Sequence, residues 1–382
     1  MNLVQKTMGE KGIDLWITFT REGNPDPVAA DLGLAGVVWR SAAIIDASGD
    51  HVAVVGNLDA EAVRQKGIYS RVFGYGKEGA SAKIGEIVAR RNPKKIALNF
   101  SDDYGAADGL SPGMARYLRK SLGKRARKKF IVSSEDLVIA LRAQLIPEEI
   151  ELLKTSVKEC ERIFEVAEQD FIRVGRTDRQ IHEMMKNEVE KRELELAWEE
   201  SSCPIVTIAN NPSGHLGYSN ETLEKNQLLR IDFGVRYKAY CSDLQRVYFV
   251  GSSSPPPSVR RMFEASKTAT KAGIEGLRQG TKGYVTDGIC RKSVTSSGYP
   301  EYPHGTGHPL GRETHEIGPR LCPRWRERYG RSMEKKMREG MVFTIEPSVQ
   351  GREGICNIEQ DVLLTESGAK LLSTMEDDLY RL

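Results

Sequence analysis

Short apolar runs rich in β-branched residues alternate with helical spacing over the first 145 positions of the chain. LWITF (15–19), AAIID (42–46), HVAVVG (51–56), KIALNF (95–100) and FIVS (130–133) predict strands, because branched side chains suit a pleated surface. Between them, segments 81–90 and 113–122 repeat apolar residues at three- and four-residue steps, which predicts helices. That alternation implies an α/β domain over residues 1–145.

A different pattern starts at Pro147, which fits a first helical position and is followed by Glu148 and Glu149, suited to the positive helix end. Ile150, Leu153, Val157, Cys160, Phe164, Ala167 and Phe171 form one stripe of a long helix that Gly175 is placed to stop. Thr177-Asp178-Arg179-Gln180 has the form of a capping box opening the next helix. From Pro204 onward strands and hairpins dominate, interrupted by SSSPPPS (252–258) and a helix at about 259–278. Apolar strands return at MVFTIE (341–346) and around Ile358 and Leu363. Residues 146–382 therefore predict an α+β domain with helices backing a curved antiparallel sheet.

Composition narrows the function classes. A chain of 382 residues, 39% apolar and 29% charged, is globular and long enough for two domains. A net charge of +3 points to no nucleic-acid partner, and the basic run Arg119–Lys129 lacks the aromatics that stack bases, so it reads as a solvated helix end. No apolar stretch is long enough for a signal peptide or a membrane span, so no membrane association is expected. Six cysteines, scattered without a CxxC pair, fit thiols kept reduced, and the expected location is cytoplasmic.

The candidate chemistry begins with LLRIDFGVRYKAYCSDLQRVYF (228–249). A hairpin centred between Tyr237 and Lys238 would place Asp232 directly opposite Asp243, with Cβ atoms about 5 Å apart. Two carboxylates so close repel by about 4 kcal/mol at an effective dielectric near 20, so a cation or a proton should lie between them. Read alone, one Asp could equally turn outward at the strand end. Three of the six histidines, His304, His308 and His315, fall within HGTGHPLGRETHE, among glycines that allow close backbone approach. Glu346 ends VFTIE before Pro347, and Glu359 lies in GICNIEQDV, both in segments that otherwise look buried. Four acids bring a charge of about −4, which two divalent ions balance with His308 as a neutral nitrogen ligand. Oxygen-rich sites with one imidazole suit Mn²⁺, Co²⁺, Fe²⁺ or Zn²⁺.

These residues resemble the pita-bread metallopeptidases, which include prolidase and Xaa-Pro aminopeptidase P. The likeness rests on Asp232 and Asp243 eleven apart, HGTGHPLG with His315, IEP at 345–347 and IE at 358–359. Residues 1–145 are also similar to the N-terminal domain of creatinase and prolidase, and the catalytic pita-bread domain would be 146–382. The resemblance implies a dinuclear metallopeptidase hydrolysing Xaa-Pro bonds of a small peptide substrate through a metal-bridging hydroxide. Asp243, His308, Glu346 and Glu359 would bind one metal, and Asp232, Asp243 and Glu359 the other, with Mn²⁺ the first choice. His215 and His315 would act with Glu346 in catalysis, and His215, His304 and His315 would touch substrate. A homodimer is implied by the same likeness. Many such relatives carry arginine where this chain has Asn357, and Arg312, Arg331 and Arg352 are candidates to receive a substrate carboxylate. Two rivals are a dinuclear amide hydrolase or lyase acting on a small non-peptide substrate, and a non-catalytic binding module.

Overall fold

The computed structural model describes all residues except 124–130, 211–217 and 252–253, so part of the basic run, the start of FIVS and the start of SSSPPPS lie outside the described residues. The chain divides into two compact units, Met1–Leu141 and Arg142–Leu382.

In the first unit, α1 (Asn2–Lys11), α2 (Ala60–Gln65), α3 (Ala80–Arg91), α4 (Pro112–Leu122) and α5 (Glu135–Arg142) accompany one sheet. Its strands are β1 (Leu15–Thr20), β2 (Ser41–Asp46), β3 (Val52–Gly56), β4 (Arg71–Tyr75), β5 (Ile96–Leu98) and β6 (Ile131–Ser133), in the order β4-β3-β2-β1-β5-β6. The sheet is mixed: β1–β2 and β2–β3 are antiparallel, whereas β3–β4, β1–β5 and β5–β6 are parallel. β1, β3 and β5 are buried along their whole length, which explains why they read as unbroken apolar runs. The edge strand β4 is only partly buried and left no such run in the sequence.

The second unit opens with α6 (Pro147–Val166), which continues as a wider π-helical turn at Ala167–Phe171, and α7 (Asp178–Lys191). The capping box forms as expected: Gln180 N donates to Thr177 Oγ1 at 3.2 Å and Thr177 N to Gln180 Oε1 at 2.9 Å. There follow β7 (Glu195–Leu196), β8 (Ile205–Ile208), β9 (Gln227–Phe233), β10 (Val235–Tyr237), β11 (Tyr240–Cys241) and β12 (Leu244–Val250). Two helices, α8 (Pro257–Gly276) and α9 (Gly283–Ser296), lead to β13 (Pro309–Leu310), β14 (Val342–Ile345) and β15 (Ser348–Gln350). The chain finishes with β16 (Ile355–Asn357), β17 (Gln360–Thr365), β18 (Gly368–Leu371) and β19 (Tyr380–Arg381). The sheets run β19-β12-β9-β8, β11-β10-β7 and β13-β14-β17-β18, with β15–β16 as a separate pair. Among the described residues the pairings in this unit are antiparallel except β12–β19, and α6 and α8 back the sheets. Leu153, Val157 and Phe164 of α6, Met185 of α7 and Phe233 of β9 share one buried core, where Phe164 meets Phe233 edge-on at 5.7 Å.

The hairpin register differs from the sequence expectation. Its turn is Lys238-Ala239, both with positive φ (45° and 74°), so Tyr237 pairs with Tyr240 and Asp232 with Gln245. Asp243 is thus diagonal to Asp232 on the same face, not directly opposite it. A two-residue turn with positive φ at both central positions usually announces itself by Asn or Gly, and neither is present here.

Candidate metal centre

Four of the five predicted ligands sit where a strand breaks off, not inside one. Asp243 lies between β11 and β12, His308 just before β13, Glu346 between β14 and β15, and Glu359 between β16 and β17; Asp232 alone lies within a strand, β9. Interruptions free a side chain from the alternation of the pleat and let it be re-aimed. The loop carrying His308 is laid along the end of β14. Thr344 N donates to His308 O at 3.0 Å, Glu346 N to Thr306 O at 2.7 Å, and His308 N to Thr344 Oγ1 at 3.1 Å. Gly307 permits this approach, since a Cβ there would collide with the Thr344 carbonyl oxygen. From behind, the buried Ser266 hydroxyl on α8 donates to Pro347 O and accepts from Ile358 N, both at 3.2 Å. One hydroxyl therefore fastens the residues beside Glu346 and Glu359 together.

Asp243, His308 and Glu359 are buried and offer ligand atoms that all lie within 4.8 Å of one another. His308 Nε2 is 3.5 Å from Asp243 Oδ2 and 3.9 Å from Glu346 Oε1. The other ring nitrogen, Nδ1, lies 3.2 Å from the Pro309 carbonyl, which can only accept; this places the proton on Nδ1 and leaves Nε2 bare toward the acids. Asp232, His308 and Glu346 line one cavity of about 510 Å³, which also takes in His304 and His315. All five predicted ligands thus converge.

The electrostatics of this cluster call for a cation. Burial, reinforced by the Asp232 charge, pushes the Asp243 and Glu346 carboxyls up, Glu346 to about 8, and burial with the Asp243 charge pushes Glu359 up. Burial, with His315 adding to it, lowers the basicity of His308 and keeps it neutral. Asp243 Oδ1 and Glu359 Oε1 are buried and have no hydrogen-bond partner. A buried carboxylate oxygen left without a partner is costly, and these two belong to the acids that the resemblance assigns as bridges. The donor set of four carboxylates and one bare imidazole nitrogen fits divalent cations.

Of the remaining histidines, His304 has both ring nitrogens engaged, Nδ1 at 2.7 Å from Gly305 O and Nε2 at 2.9 Å from Ser348 Oγ; burial lowers its pKa to about 4. His315 is exposed, and its ring centroid lies 4.2 Å from that of His308. His215 lies outside the described residues. Arg312, Arg331 and Arg352 do not line the cavity, whereas Arg230, Arg320 and Arg328 do. Arg312 instead pairs with Glu149 at 3.0 Å. Sequence reasoning also missed Gln245, whose amide reaches Glu346 and Glu359, and Asp361, whose Oδ2 accepts from Asp243 N at 3.1 Å. Period two would have found Arg230, two residues before Asp232 on β9, and Gln245, which follows Asp243 by two.

Fold and site together define a two-domain metallopeptidase. The profile of metallopeptidase family M24 matches residues 151–366, and the chain belongs to that family. It is 29% identical to an Xaa-Pro dipeptidase of Lactobacillus helveticus over 276 residues, 71% of this chain and 70% of that one. It is 28% identical to an Xaa-Pro dipeptidase of Pyrococcus furiosus over 289 residues, 74% of this chain and 76% of that one. The fold is that of an X-Pro aminopeptidase from Thermotoga maritima, with TM-score 0.73 at 23% identity over 99% of this chain and 100% of that one. An Xaa-Pro dipeptidase from Bacillus anthracis superposes with TM-score 0.74 at 22% identity, covering 100% and 98% of the two chains. Peptidase chemistry with divalent metal follows from the family. No helix among the described residues is long and apolar enough to cross a membrane, and all six cysteines are free thiols, each buried.

Proposed function

We propose that the protein hydrolyses the peptide bond preceding proline in short peptides, with two divalent cations, Mn²⁺ foremost, held by Asp232, Asp243, His308, Glu346 and Glu359. The reading is carried by the convergence of these five side chains around orphaned oxygens of Asp243 and Glu359. It includes a cytoplasmic homodimer, in keeping with the six thiols.

Bound there, the cations supply Lewis acidity and a water acidic enough to ionise near neutral pH. The chain's own groups do the rest. Glu346 borders the cavity, so its carboxylate can accept a proton from the water and return it to the leaving nitrogen. That return matters because a proline nitrogen carries no proton and cannot depart without one. His315, on the cavity wall, donates a hydrogen bond to the carbonyl oxygen as charge develops, worth typically a few kcal/mol. His215 is assigned the matching role by resemblance. His304, with both nitrogens satisfied, presents a fixed neutral wall to the substrate. Arg320 and Arg328, lining the same cavity, suit the free carboxylate of a dipeptide.

The test is proline release from Ala-Pro, Ala-Pro-Ala and cyclic amides by protein stripped of metal and then given Mn²⁺, Co²⁺ or Zn²⁺. Metal-dependent release from Ala-Pro is expected. Cleavage of the cyclic amide alone, or no turnover with any of the three ions, would overturn the proposal.

A further inference from the structure

Gln245 and Arg230 are outside the ligand set, yet both face it. Gln245 stands opposite Asp232 in the β9–β12 ladder and two residues after Asp243, so it shares their face. The residue is 2% exposed. Its Nε2 lies 2.7 Å from Glu359 Oε2 and 3.1 Å from Glu346 Oε2, so one amide group donates to both acids. Its Oε1 accepts from Arg230 Nη1 at 3.2 Å. Chemistry fixes this orientation: turned over, the amide would set its oxygen against two carboxylates and its NH₂ against a guanidinium. Glu359 N adds a main-chain link to Gln245 O at 3.4 Å.

Arg230 is two residues before Asp232 on the same strand face and is anchored by Nη2 donating to Thr207 Oγ1 at 3.2 Å. Among the described residues it makes no ion pair, and its buried Nε has no hydrogen-bond partner. A guanidinium forked directly onto Glu346 or Glu359 would neutralise the acid and compete with an incoming cation. Stopping one amide short, it can orient the acids without contacting them, while its charge still opposes the upward push of burial on Glu346.

We propose that Gln245 is a positioning residue that fixes Glu346 and Glu359 for cation binding, and that Arg230 positions these acids through the Gln245 amide, which it holds in its donating orientation. The inference rests on the reading that these acids bind divalent cations. Partners one step behind metal ligands typically change metal affinity by about 10- to 100-fold when removed.

The experiment is calorimetric titration of Mn²⁺ into metal-free full-length protein, for wild type, Gln245→Met, Arg230→Met and the double variant. Each single variant should bind Mn²⁺ about 10- to 100-fold more weakly, and the double variant no more weakly than Gln245→Met, because the two act in series. Arg230→Lys should recover part of the loss. Losses that multiply in the double variant, or wild-type affinity in Arg230→Met, would overturn the pair while leaving the cation site intact. A wild type that takes up no Mn²⁺ would instead overturn the cation reading itself. Circular dichroism checks folding, and Arg230→Gln serves if Arg230→Met does not fold.

Discussion

The two faces of β12 carry buried acids in opposite circumstances. On one face Arg246 lies with Nε 3.0 Å from Glu376 Oε1, the two side chains 5% and 1% exposed. Its Nη1 also donates to the Gln245 and Glu359 carbonyls, at 3.1 and 3.2 Å. On the other face Asp243 and Gln245 look toward Glu346 and Glu359, and the nearest arginine stops one amide away. Burial pushes Glu376 and Glu346 alike up to about 8. What differs is the counter-charge, since oxygens without a hydrogen-bond partner occur on both faces: Glu376 has a guanidinium at 3.0 Å, whereas among the described residues no arginine or lysine lies within ion-pair distance of Asp243, Glu346 or Glu359. A buried charge is tolerated only with compensation, so a face built without its own cation is built to take one from solution. On the proposed reading, the face with its own guanidinium holds the framework and the face without one is the working face.

The largest effect that would break this contrast is on the working face. Asp243→Asn should lower kcat/KM for a proline dipeptide by at least about 10³-fold if, as proposed, its carboxylate would be shared by the cations. A variant with more than a tenth of wild-type proline release would refute that role. On the framework face, Arg246→Met should destabilise the protein by about 3–5 kcal/mol in urea unfolding, because it strands Glu376. Adding Glu376→Gln should restore most of the loss, and no restoration would mean the arginine acts through its carbonyl contacts alone. The smallest effect is on pH dependence, and its sign follows from raised acids. Glu346 and Glu376 have folded values near 8 against about 4.5 unfolded, so the folded state binds more protons between those limits. The metal-free protein should therefore lose stability as pH rises from about 4.5 to about 8. Mn²⁺ should raise Tm by more at pH 8 than at pH 5, since protons and cations compete for the same acids. A Tm gain from Mn²⁺ independent of pH would place the ion elsewhere.

Features set by neighbouring residues were legible before any coordinates. Pro147 with its two glutamates and the Thr177–Gln180 box start α6 and α7 because helix ends recruit nearby side chains. The five candidate ligands were legible as residue types in order, since strand acids beside apolar runs and histidines among glycines stand out locally. Register was not. The Lys238-Ala239 turn carries no residue that favours positive φ, so its position is decided by how β9 and β12 pack, and the hairpin slid by two positions in Asp pairing. Arg312 read like a substrate residue but is drawn to Glu149, about 160 positions away in the chain.

By itself the sequence determined which groups could bind a cation and where the buried strands and the capped helices α6 and α7 would lie, because those depend on chemistry and on period. Only the tertiary structure decided that the strand breaks at Asp243, His308, Glu346 and Glu359 meet, and that Gln245 rather than an arginine touches two of the acids. Such meetings are set by long-range packing, such as Ser266 of α8 tying Pro347 to Ile358, and no local pattern records which distant backbone a buried hydroxyl will find.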